Sequence, residues 1–437
     1  MGGSAIGNYT LGRPLVAGLV CGIILGNVPA GIMVGAAMQV VYIALVTPGG
    51  TVSADVRAVS YIGIPLAMLA LNSYGLDPAS TKGVAMATSF GAMVGTLGTV
   101  LFYGTATINL VWQHIGWRAV EKGEFKKLYL VDMVLPWISH LICSFIPTVV
   151  MCKLGVPVVE TIKATLPMDG LAMKTLFTVG SMLPCVGIAI LLKQVVNKVT
   201  DFVPFFVGFT LAAGVGLNLV SVTVVAGMFA IIHYNIKMVG IRAKEAALAS
   251  GGSFDDDDDE ELARKDSEPT FAQVYEEFYH WKYEEAEKKL SKKALNKSFR
   301  NWYYGHLTCF SQEHMQTFGY LCAMLPLVEE LYETKEEQKK AMDTYTAFFN
   351  TEPQVGSVIV GITAGLEEAR ANGNEDVDSE TINGLRAGLM GPIAGIGDSL
   401  LVGTLIPILL GIALGLSSGG SIVGPIFYIV AWNLIVT

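Results

Sequence analysis

The sequence predicts an all-α, polytopic membrane protein in which some helices are broken or re-entrant. Of its 437 residues, 52% are hydrophobic and 15% are charged, whereas a soluble globular domain carries about 25% charged residues. Most of the charges lie between residues 241 and 386. The regions on either side are therefore nearly free of charge, as membrane segments are. This composition excludes a soluble enzyme.

Apolar stretches suited to spanning or burial define two membrane halves, because a spanning helix needs about 20 residues. They cover residues 14–46, 56–76, 84–116, 131–152, 171–192, 203–236, 393–416 and 421–436. Some of them are too long and too rich in glycine for one straight helix, and 203–236 is expected to break near Gly214–Asn218. Basic clusters at Arg118–Lys127, Lys193–Lys198 and Lys237–Lys244 can then all face the cytoplasm.

An acidic linker separates the two halves. Ala246–Thr270 contains the run "FDDDDDEE" and has too little apolar surface to order itself. We interpret it as a linker rather than as a docking site for a basic partner. The net charge of −9 comes largely from this run, and an acidic chain is a poor ligand for nucleic acid. The predicted domains are residues 1–244, a linker over 245–290, and residues 291–437.

The second domain is predicted to begin with a helical cytoplasmic region over 291–390, followed by membrane segments over 391–437. The amphipathic pattern favours helices over Phe271–Leu331, Glu333–Asn350, Val358–Gly373 and Asp376–Met390. The last of these starts with an acidic cap. The paired acids Glu367 and Glu368 are expected to lie on an ordinary helix face.

Two similar motifs, one in each membrane half, are the candidate functional sites. In the first, an apolar helix carries the amide Gln39, breaks at "TPGG" (Thr47–Gly50) and is followed by Asp55. In the second, "GPIAGIGD" breaks a helix before Asp398. Broken helices are tolerated at membrane depth where they line a wet cavity, and an ionisable residue there indicates a functional site. Either motif alone is equally well explained as a tight turn at the membrane surface, capped by its aspartate.

Familiar signatures of catalysis are thin in the sequence. It contains no GxxxxGK[ST] or HExxH pattern, and its six cysteines show no metal-binding spacing. We interpret the cysteines as reduced packing residues and predict neither a metal nor a cofactor. The histidines are scattered along the chain: His114, His140, His233, His280, His306 and His314.

Several longer stretches resemble a known family. Leu11–Val56, which opens with "LGRPLVAGLVCGIILGNVPAG", resembles the IIC subunit of mannose-family phosphotransferase-system permeases. The stretches "FGYLCAMLPLVEELY", "AFFNTEPQVGSVIVGITAGLEEARANG" and "INGLRAGLMGPIAGIGDSLLVGTLIPIL" resemble the IID subunit. The resemblance covers nearly all of the chain outside about 245–290. It implies a fusion of IIC to IID that lacks an early IIC helix and the later membrane segments of IID.

The resemblance also implies a function. Permeases of this family carry a hexose or an amino sugar across the bacterial inner membrane, and a cytoplasmic IIB or IIAB protein phosphorylates the sugar as it emerges. The family's phosphohistidines lie on IIA and IIB, so none is expected on this chain. The chain would bind and move the sugar, with the phosphoryl group coming ultimately from phosphoenolpyruvate, and would assemble as a homo-oligomer.

The family's sugar site lies between the two membrane halves. Its hydrogen-bonding positions correspond to Gln39, Asp55, Glu313, Gln316, Asn350 and Asp398. The bends that allow a sugar-carrying core to shift correspond to Gly49, Gly50, Gly395 and Gly397. Before Glu313, Phe310 and Ser311 stand where the family usually has Trp-Asn, a difference that bears on which sugar is accepted.

Two other classes of membrane protein fit the residues. An ion-coupled secondary transporter also uses broken helices with intramembrane aspartates. It would accumulate free substrate rather than a sugar phosphate. A scaffold or receptor that transports nothing is the third reading, and it would bind no sugar when purified.

Overall fold

The structure is a computed structural model that describes residues 7–43, 45, 52, 54–165, 170–196, 198–217, 219–249 and 288–436. Within these ranges the regular structure is helical, and no strand longer than an isolated bridge is present. This confirms the all-α fold class. The chain forms two compact units, Met1–Asp201 together with Leu290–Thr437, and Phe202–Lys289.

The first unit contains most of the helices. They are α1 (Pro14–Ile24), α2 (Val28–Val41), α3 (Val56–Tyr74), α4 (Thr81–Glu121), α5 (Lys127–Thr161), α6 (Leu171–Val195), α9 (Lys292–Gly305), α10 (Thr317–Leu331), α11 (Lys335–Thr344), α12 (Ser357–Ala371), α13 (Ser379–Leu416) and α14 (Val423–Val436). In the described part of the chain, α3, α4, α5 and α13 are long and apolar enough to cross a membrane. The protein is therefore a multi-pass membrane protein, as its composition predicted.

The second unit contains α7 (Phe202–Gly214) and α8 (Leu219–Ala249). Gly216, which lies between them, has a φ of 77°, a left-handed conformation that glycine adopts without a steric penalty. The predicted break in the stretch 203–236 is thereby confirmed.

Helices α1 and α2 form a hairpin in place of one long helix. They have 11 and 14 residues, about 17 and 21 Å at about 1.5 Å per residue, so neither alone crosses a hydrocarbon core about 30 Å thick. Gly26 turns the chain with a φ of 74°. The Asn27 side chain then caps α2 by accepting a hydrogen bond from the Ala30 backbone N–H at 3.2 Å.

Four glycines bring the two arms of the hairpin into backbone contact. Gly18 and Gly22 of α1 face Gly31 and Gly35 of α2, and a Cβ atom added at any of the four would collide with the opposite backbone. Small residues spaced four apart allow this close approach in apolar surroundings, where packing rather than water expulsion drives helix association.

We expect Gly31→Ala to destabilise the protein by about 1–3 kcal/mol or more, because the added methyl group meets backbone that cannot move aside. Gly388→Ala is the matched control, since a Cβ atom at Gly388 has open space and alanine favours a helix over glycine by about 1 kcal/mol. Thermal unfolding in detergent measures both. Equal melting temperatures for the two variants would contradict the backbone contact.

Helix α11 ends earlier than the predicted helix over Glu333–Asn350, because the residues after Thr344 turn inward to pack their rings. Phe349 stacks on Tyr320 of α10, with ring centroids 4.2 Å apart. The buried Arg386 of α13 holds this turn. Its guanidinium donates hydrogen bonds to the carbonyls of Tyr345 and Ala347 at 3.4 and 3.3 Å and lies 5.1 Å from the Tyr320 ring centre, a cation–π contact.

The start of α13 matches the predicted acidic cap. The Asp378 side chain accepts a hydrogen bond from the Thr381 backbone N–H at 2.7 Å, as an N-cap residue does. From there α13 runs without interruption to Leu416 and includes Pro392. The helix is thus not broken in the stretch "GPIAGIGD"; it widens into a π-type turn over Asp398–Leu405.

Glu367 forms a buried ion pair in α12, unlike the ordinary helix face that we expected. Its side chain is fully buried and pairs with Arg370 at 2.7 Å. It also accepts hydrogen bonds from the hydroxyls of Tyr332, at 2.6 Å, and Tyr345. The neighbouring Glu368 accepts from the Leu290 backbone N–H at 2.7 Å. These contacts join α12 to the ends of α10 and α11.

We expect Glu367→Gln to cost about 3–5 kcal/mol, because it leaves the Arg370 guanidinium, 16% exposed, without its counter-charge. The control is Asp343→Asn, which removes the exposed pair between Lys339 and Asp343 at a cost of about 0.5 kcal/mol. Both can be measured by thermal unfolding in detergent. If the two variants lost the same stability, the buried pair would not stabilise the helical region.

Candidate functional site

A cavity of about 260 Å³ lies inside the first unit, near the lower end of the range of about 300–1,000 Å³ for small-molecule sites. Helices α3, α4, α5 and α13 contribute to it, together with the segments before α10 and α12. Its lining includes carboxylates, amides and cationic or imidazole groups. These are Asp55, Glu352 and Asp398; Asn109, Gln316 and Asn350; and Arg13, Arg57 and His140.

Asp55 reaches the cavity as the N-cap of α3. Its side chain accepts hydrogen bonds from the backbone N–H groups of Arg57 and Ala58 at 2.9 and 3.4 Å, which satisfies donors that a helix start leaves free. The Arg57 Nε atom lies 3.2 Å from the same carboxylate oxygen, and the guanidinium lies 5.3 Å from the Phe102 ring centre. Asp55 therefore both caps a helix and faces the cavity, so the two readings of its motif are compatible.

Asp398 reaches the cavity from α13, at the first residue of the π-type turn. In the described part of the chain, its carboxylate accepts no hydrogen bond from the protein. The wider turn leaves the Thr404 hydroxyl to donate to the Ser399 carbonyl, five residues earlier, at 2.8 Å. Such turns inside α-helices are frequent at functional sites. Asp398 thus presents an open acceptor to the cavity.

The segment before α12 forms one wall of the cavity. The Gln316 side chain pairs with the Thr351 backbone, donating to its carbonyl at 2.8 Å and accepting from its N–H at 3.0 Å. The Thr351 hydroxyl donates to the Met390 carbonyl of α13 at 3.2 Å. Among the described residues, the side-chain amide of Asn350 has no partner. Gln316 therefore holds this wall in place, and the side-chain amide of Asn350 is available to a ligand.

Glu352 lies on the same wall and is 2% exposed. Its carboxylate accepts hydrogen bonds from the backbone N–H groups of Gln354 and Val355 at 2.8 and 2.9 Å. Gly397 of α13 packs directly against its side chain. Glu352 lies outside the candidate spans, and burial raises the pKa of its carboxyl to about 7, although the two backbone donors oppose this shift.

The segment between α9 and α10 is fastened to the long helix α4. Asn109 donates to the Phe310 carbonyl at 2.8 Å, and Gln113 donates to the Cys309 carbonyl at 2.5 Å. Both amides are buried, and their side-chain oxygens have no hydrogen-bond partner in the described structure. Of the two, Asn109 lines the cavity and has an acceptor available for a ligand.

Four of the six predicted sugar-binding residues line the cavity: Asp55, Gln316, Asn350 and Asp398. Gln39 does not line it. This residue is fully buried in α2, where it accepts from the Leu15 backbone N–H at 3.4 Å. Glu313 does not line it either, and its side chain is 67% exposed. Contact between any of these six residues and a sugar stays a prediction.

Of the four glycines predicted to act as hinges, two are described by the structure. Gly49 and Gly50 lie outside the described residues. Gly395 is exposed on α13, and Gly397 is buried against Glu352. Neither residue interrupts the helix, so their role as bends stays a prediction.

Sequence reasoning missed several residues of the cavity: Arg13, Arg57, Asn109, His140 and Glu352. Asn109 carried a usable signal, since it lies one helical turn before a second amide, Gln113, in an apolar helix, and polar side chains at membrane depth mark pathways. His140 stood among scattered histidines, and Glu352 lay in a loop-like stretch. Neither had a local pattern that set it apart.

This arrangement suits the binding of a small molecule that has many hydroxyl groups. Carboxylate and amide oxygens accept hydrogen bonds, whereas amide and guanidinium N–H groups donate them. Within the described ranges, no group of three His, Cys, Asp or Glu side chains could hold a metal ion.

Two family models match the chain in succession. Residues 1–232, more than half of the chain, match the sorbose-specific IIC component of the phosphotransferase system. Residues 289–437 match the mannose/fructose/sorbose family IID component. The chain belongs to this mannose/fructose/sorbose family of phosphotransferase-system membrane components. It joins a IIC region to a IID region in a single polypeptide, as the resemblance in the sequence implied.

Individual relatives agree with the family models. The mannose-specific EIID component of Escherichia coli is 39% identical over 152 residues, which are 34% of this chain and 52% of that protein. The fructose permease IID component of Bacillus subtilis is 37% identical over 35% of this chain and 54% of that protein. The mannose-specific EIIC component of Escherichia coli is 24% identical over 58% of this chain and 90% of that protein. The chain thus spans about half the length of the IID relatives that it matches.

The shifted pKa of Glu352 predicts a pH-dependent stability. Because this pKa of about 7 lies above the usual value of 4.5, the folded protein becomes less stable as the pH rises from about 4.5 through about 7. The loss amounts to about 3 kcal/mol at most. Glu352→Gln removes this ionisation. The stability of the variant relative to that of the parent protein should therefore increase between pH 5 and pH 8.

Thermal unfolding of both proteins in detergent across that range measures the difference. Two titratable groups, Tyr9 and Asp398, face Glu352. Both are present in the parent protein and in the variant, so their own effects on stability cancel in the comparison. A stability difference that stayed constant from pH 5 to pH 8 would show that Glu352 does not titrate in this range.

Proposed function

We propose that this chain binds a hexose or an amino sugar and moves it across the bacterial inner membrane for phosphorylation by a partner protein. The partners would be cytoplasmic IIA and IIB proteins, with phosphoenolpyruvate as the ultimate phosphoryl donor. Relatives are named for mannose, fructose and sorbose, so sugars of this class are the first candidates. A homo-oligomeric assembly belongs to the same proposal.

The observation that carries this proposal is the construction of the cavity. Its wall combines residues from the IIC region, such as Asp55 and Asn109, with residues from the IID region, such as Asn350 and Asp398. A cavity that needs both regions accounts for the presence of both in one chain. The mixture of carboxylates and amides matches the alternating donors and acceptors of a sugar ring.

The open polar groups suggest how the sugar would be held. The side chains of Asn350 and Asp398 have no hydrogen-bond partner among the described residues, so they are the first candidates for direct contact. Asp55 and Gln316 already bind the protein backbone, so they would position the site as well as contact the ligand. Movement of the sugar would then follow α13, which carries Asp398.

The proposal predicts that Asp398→Asn lowers sugar-phosphate accumulation by about tenfold or more. A hydrogen bond to a charged acceptor contributes about 1.5–3 kcal/mol, and about 1.4 kcal/mol corresponds to a factor of ten. Asp55→Asn should also lower accumulation; asparagine retains the N-cap of α3, so the variant isolates the charge. The measurement is uptake of labelled hexoses and amino sugars by cells that lack their own permeases and express this chain with a IIA/IIB pair.

Asp77→Asn is the matched control, because Asp77 is exposed in the turn before α4. Glu313→Gln decides whether that exposed residue reaches the sugar in another arrangement. Free sugar that follows an ion gradient would assign the chain to ion-coupled transporters instead. No uptake of any kind, with no sugar binding by the purified chain, would favour the scaffold reading.

A further inference from the structure

Helix α9 presents an exposed basic face that the cavity does not use. One side of the helix is buried, through Ala294, Ser298, Asn301, Trp302 and Gly305. An exposed side next to it carries four residues spaced four, three and four apart, which places them in one row along the helix. They are Lys293, Lys297, Arg300 and Tyr304, and all four are exposed. We refer to this row as the basic face.

The basic face is positive and largely uncompensated. From Lys292 to Tyr304 the sequence contains four lysine or arginine residues and no acidic residue. Lys297 has a distant partner, Glu329, at 3.9 Å. In the described part of the chain, neither Lys293 nor Arg300 has a carboxylate within ion-pair distance. A surface of this kind attracts an anion.

The level of the membrane surface can be read from the ends of α4 and α5. Exposed apolar side chains on α4 continue to Ile115, and on α5 they begin at Leu130. These two positions lie at the same level, because Gly116 packs against Val131. Tyr129 therefore lies at the boundary between hydrocarbon and water, where tyrosine is enriched.

Helix α9 crosses this boundary alongside the start of α5. Near its C-terminus, Gly305 lies against Asp132. One turn earlier, Asn301 donates to the Tyr129 hydroxyl at 3.3 Å. Further out, the Lys297 amino group lies 5.4 Å from the centre of the Tyr129 ring. The basic face is therefore ordered by depth, with Tyr304 innermost, Arg300 and Lys297 at the boundary, and Lys293 outermost.

This order matches the layers of a lipid headgroup. An aromatic ring suits the edge of the hydrocarbon, a guanidinium binds phosphate through two parallel N–H groups, and lysines suit the outer charged layer. Lys126 lies one turn before Tyr129 and is also exposed, so it adds a positive charge on the water side of this boundary. We propose that the basic face and Lys126 bind the headgroup of an anionic phospholipid.

Native mass spectrometry of the full chain in detergent, titrated with phosphatidylglycerol or phosphatidylcholine, tests the proposal. The parent protein should bind phosphatidylglycerol at least tenfold more tightly. Each basic residue at a membrane surface contributes about fivefold, so K293Q/R300Q should weaken the binding of phosphatidylglycerol by about 25-fold. Binding of phosphatidylcholine should not change. Arg300→Lys, which keeps the charge but not the two parallel N–H groups, should bind phosphatidylglycerol more tightly than Arg300→Gln and less tightly than the parent protein.

The matched control is K335Q/K340Q, which removes two exposed charges from α11 and should leave lipid binding unchanged. Equal affinity of the parent protein for both lipids would overturn the proposal, as would unchanged affinity in K293Q/R300Q. A third variant replaces Asp255–Asp259 with asparagines. If phosphatidylglycerol bound only after that change, the chain's own acidic run would occupy the basic face, and the lipid assignment would be wrong.

Discussion

The cavity depends on two amide side chains that hold an irregular segment against a long apolar helix. Asn109 and Gln113, one turn apart on α4, bind the carbonyls of Phe310 and Cys309. In apolar surroundings an unsatisfied carbonyl costs several kcal/mol, so backbone can leave the helical conformation only where other groups replace its hydrogen bonds. The two amides supply those bonds. They allow the segment between α9 and α10 to leave the helical conformation and bring Gln316 to the cavity.

The support continues from this segment into the rest of the site. Gln316 fixes the Thr351 backbone through two hydrogen bonds, and Thr351 in turn binds α13 at Met390. Arg386, one turn earlier on α13, holds the turn that leads into Asn350. A buried guanidinium without a carboxylate partner is costly. The carbonyls of Tyr345 and Ala347 and the ring of Tyr320 replace that partner, so the position of Asn350 depends on contacts more than 30 residues apart in sequence.

Features that depend on local chemistry could be predicted from the sequence. Apolar length predicted the membrane helices, a glycine-rich stretch predicted the break before α8, and an aspartate before a helical pattern predicted the cap at Asp378. The two apolar motifs pointed to Asp55 and Asp398 on the cavity wall, and the resemblance to a family added Gln316 and Asn350. Features that depend on distant partners could not be predicted. Glu367 resembled an ordinary exposed acid because nothing nearby in the sequence reveals Tyr332 and Tyr345 above it.

Dependence on distant partners also explains why the glycine contacts and some of the cavity residues could not be predicted. The length and glycine content of some apolar stretches, 14–46 among them, argued against one straight helix, but only the contact of Gly18 and Gly22 with Gly31 and Gly35 makes this stretch a hairpin of two short helices. Glu352 had no local signature at all. Its place on the wall follows from the contact with Gly397 of α13, which no periodicity in either stretch encodes.

The division of the polar groups between two sets of contacts bears on how a ligand would move. Asn350 and Asp398 are tied to each other, because the segment that carries Asn350 is bound to α13 through Met390. Asp55 and His140 belong instead to α3 and α5. A shift of α13 against those helices would therefore carry Asn350 and Asp398 together and leave Asp55 and His140 behind. Because Gln316 also binds the Thr351 backbone, such a shift would either break these two hydrogen bonds or move the segment that α4 holds.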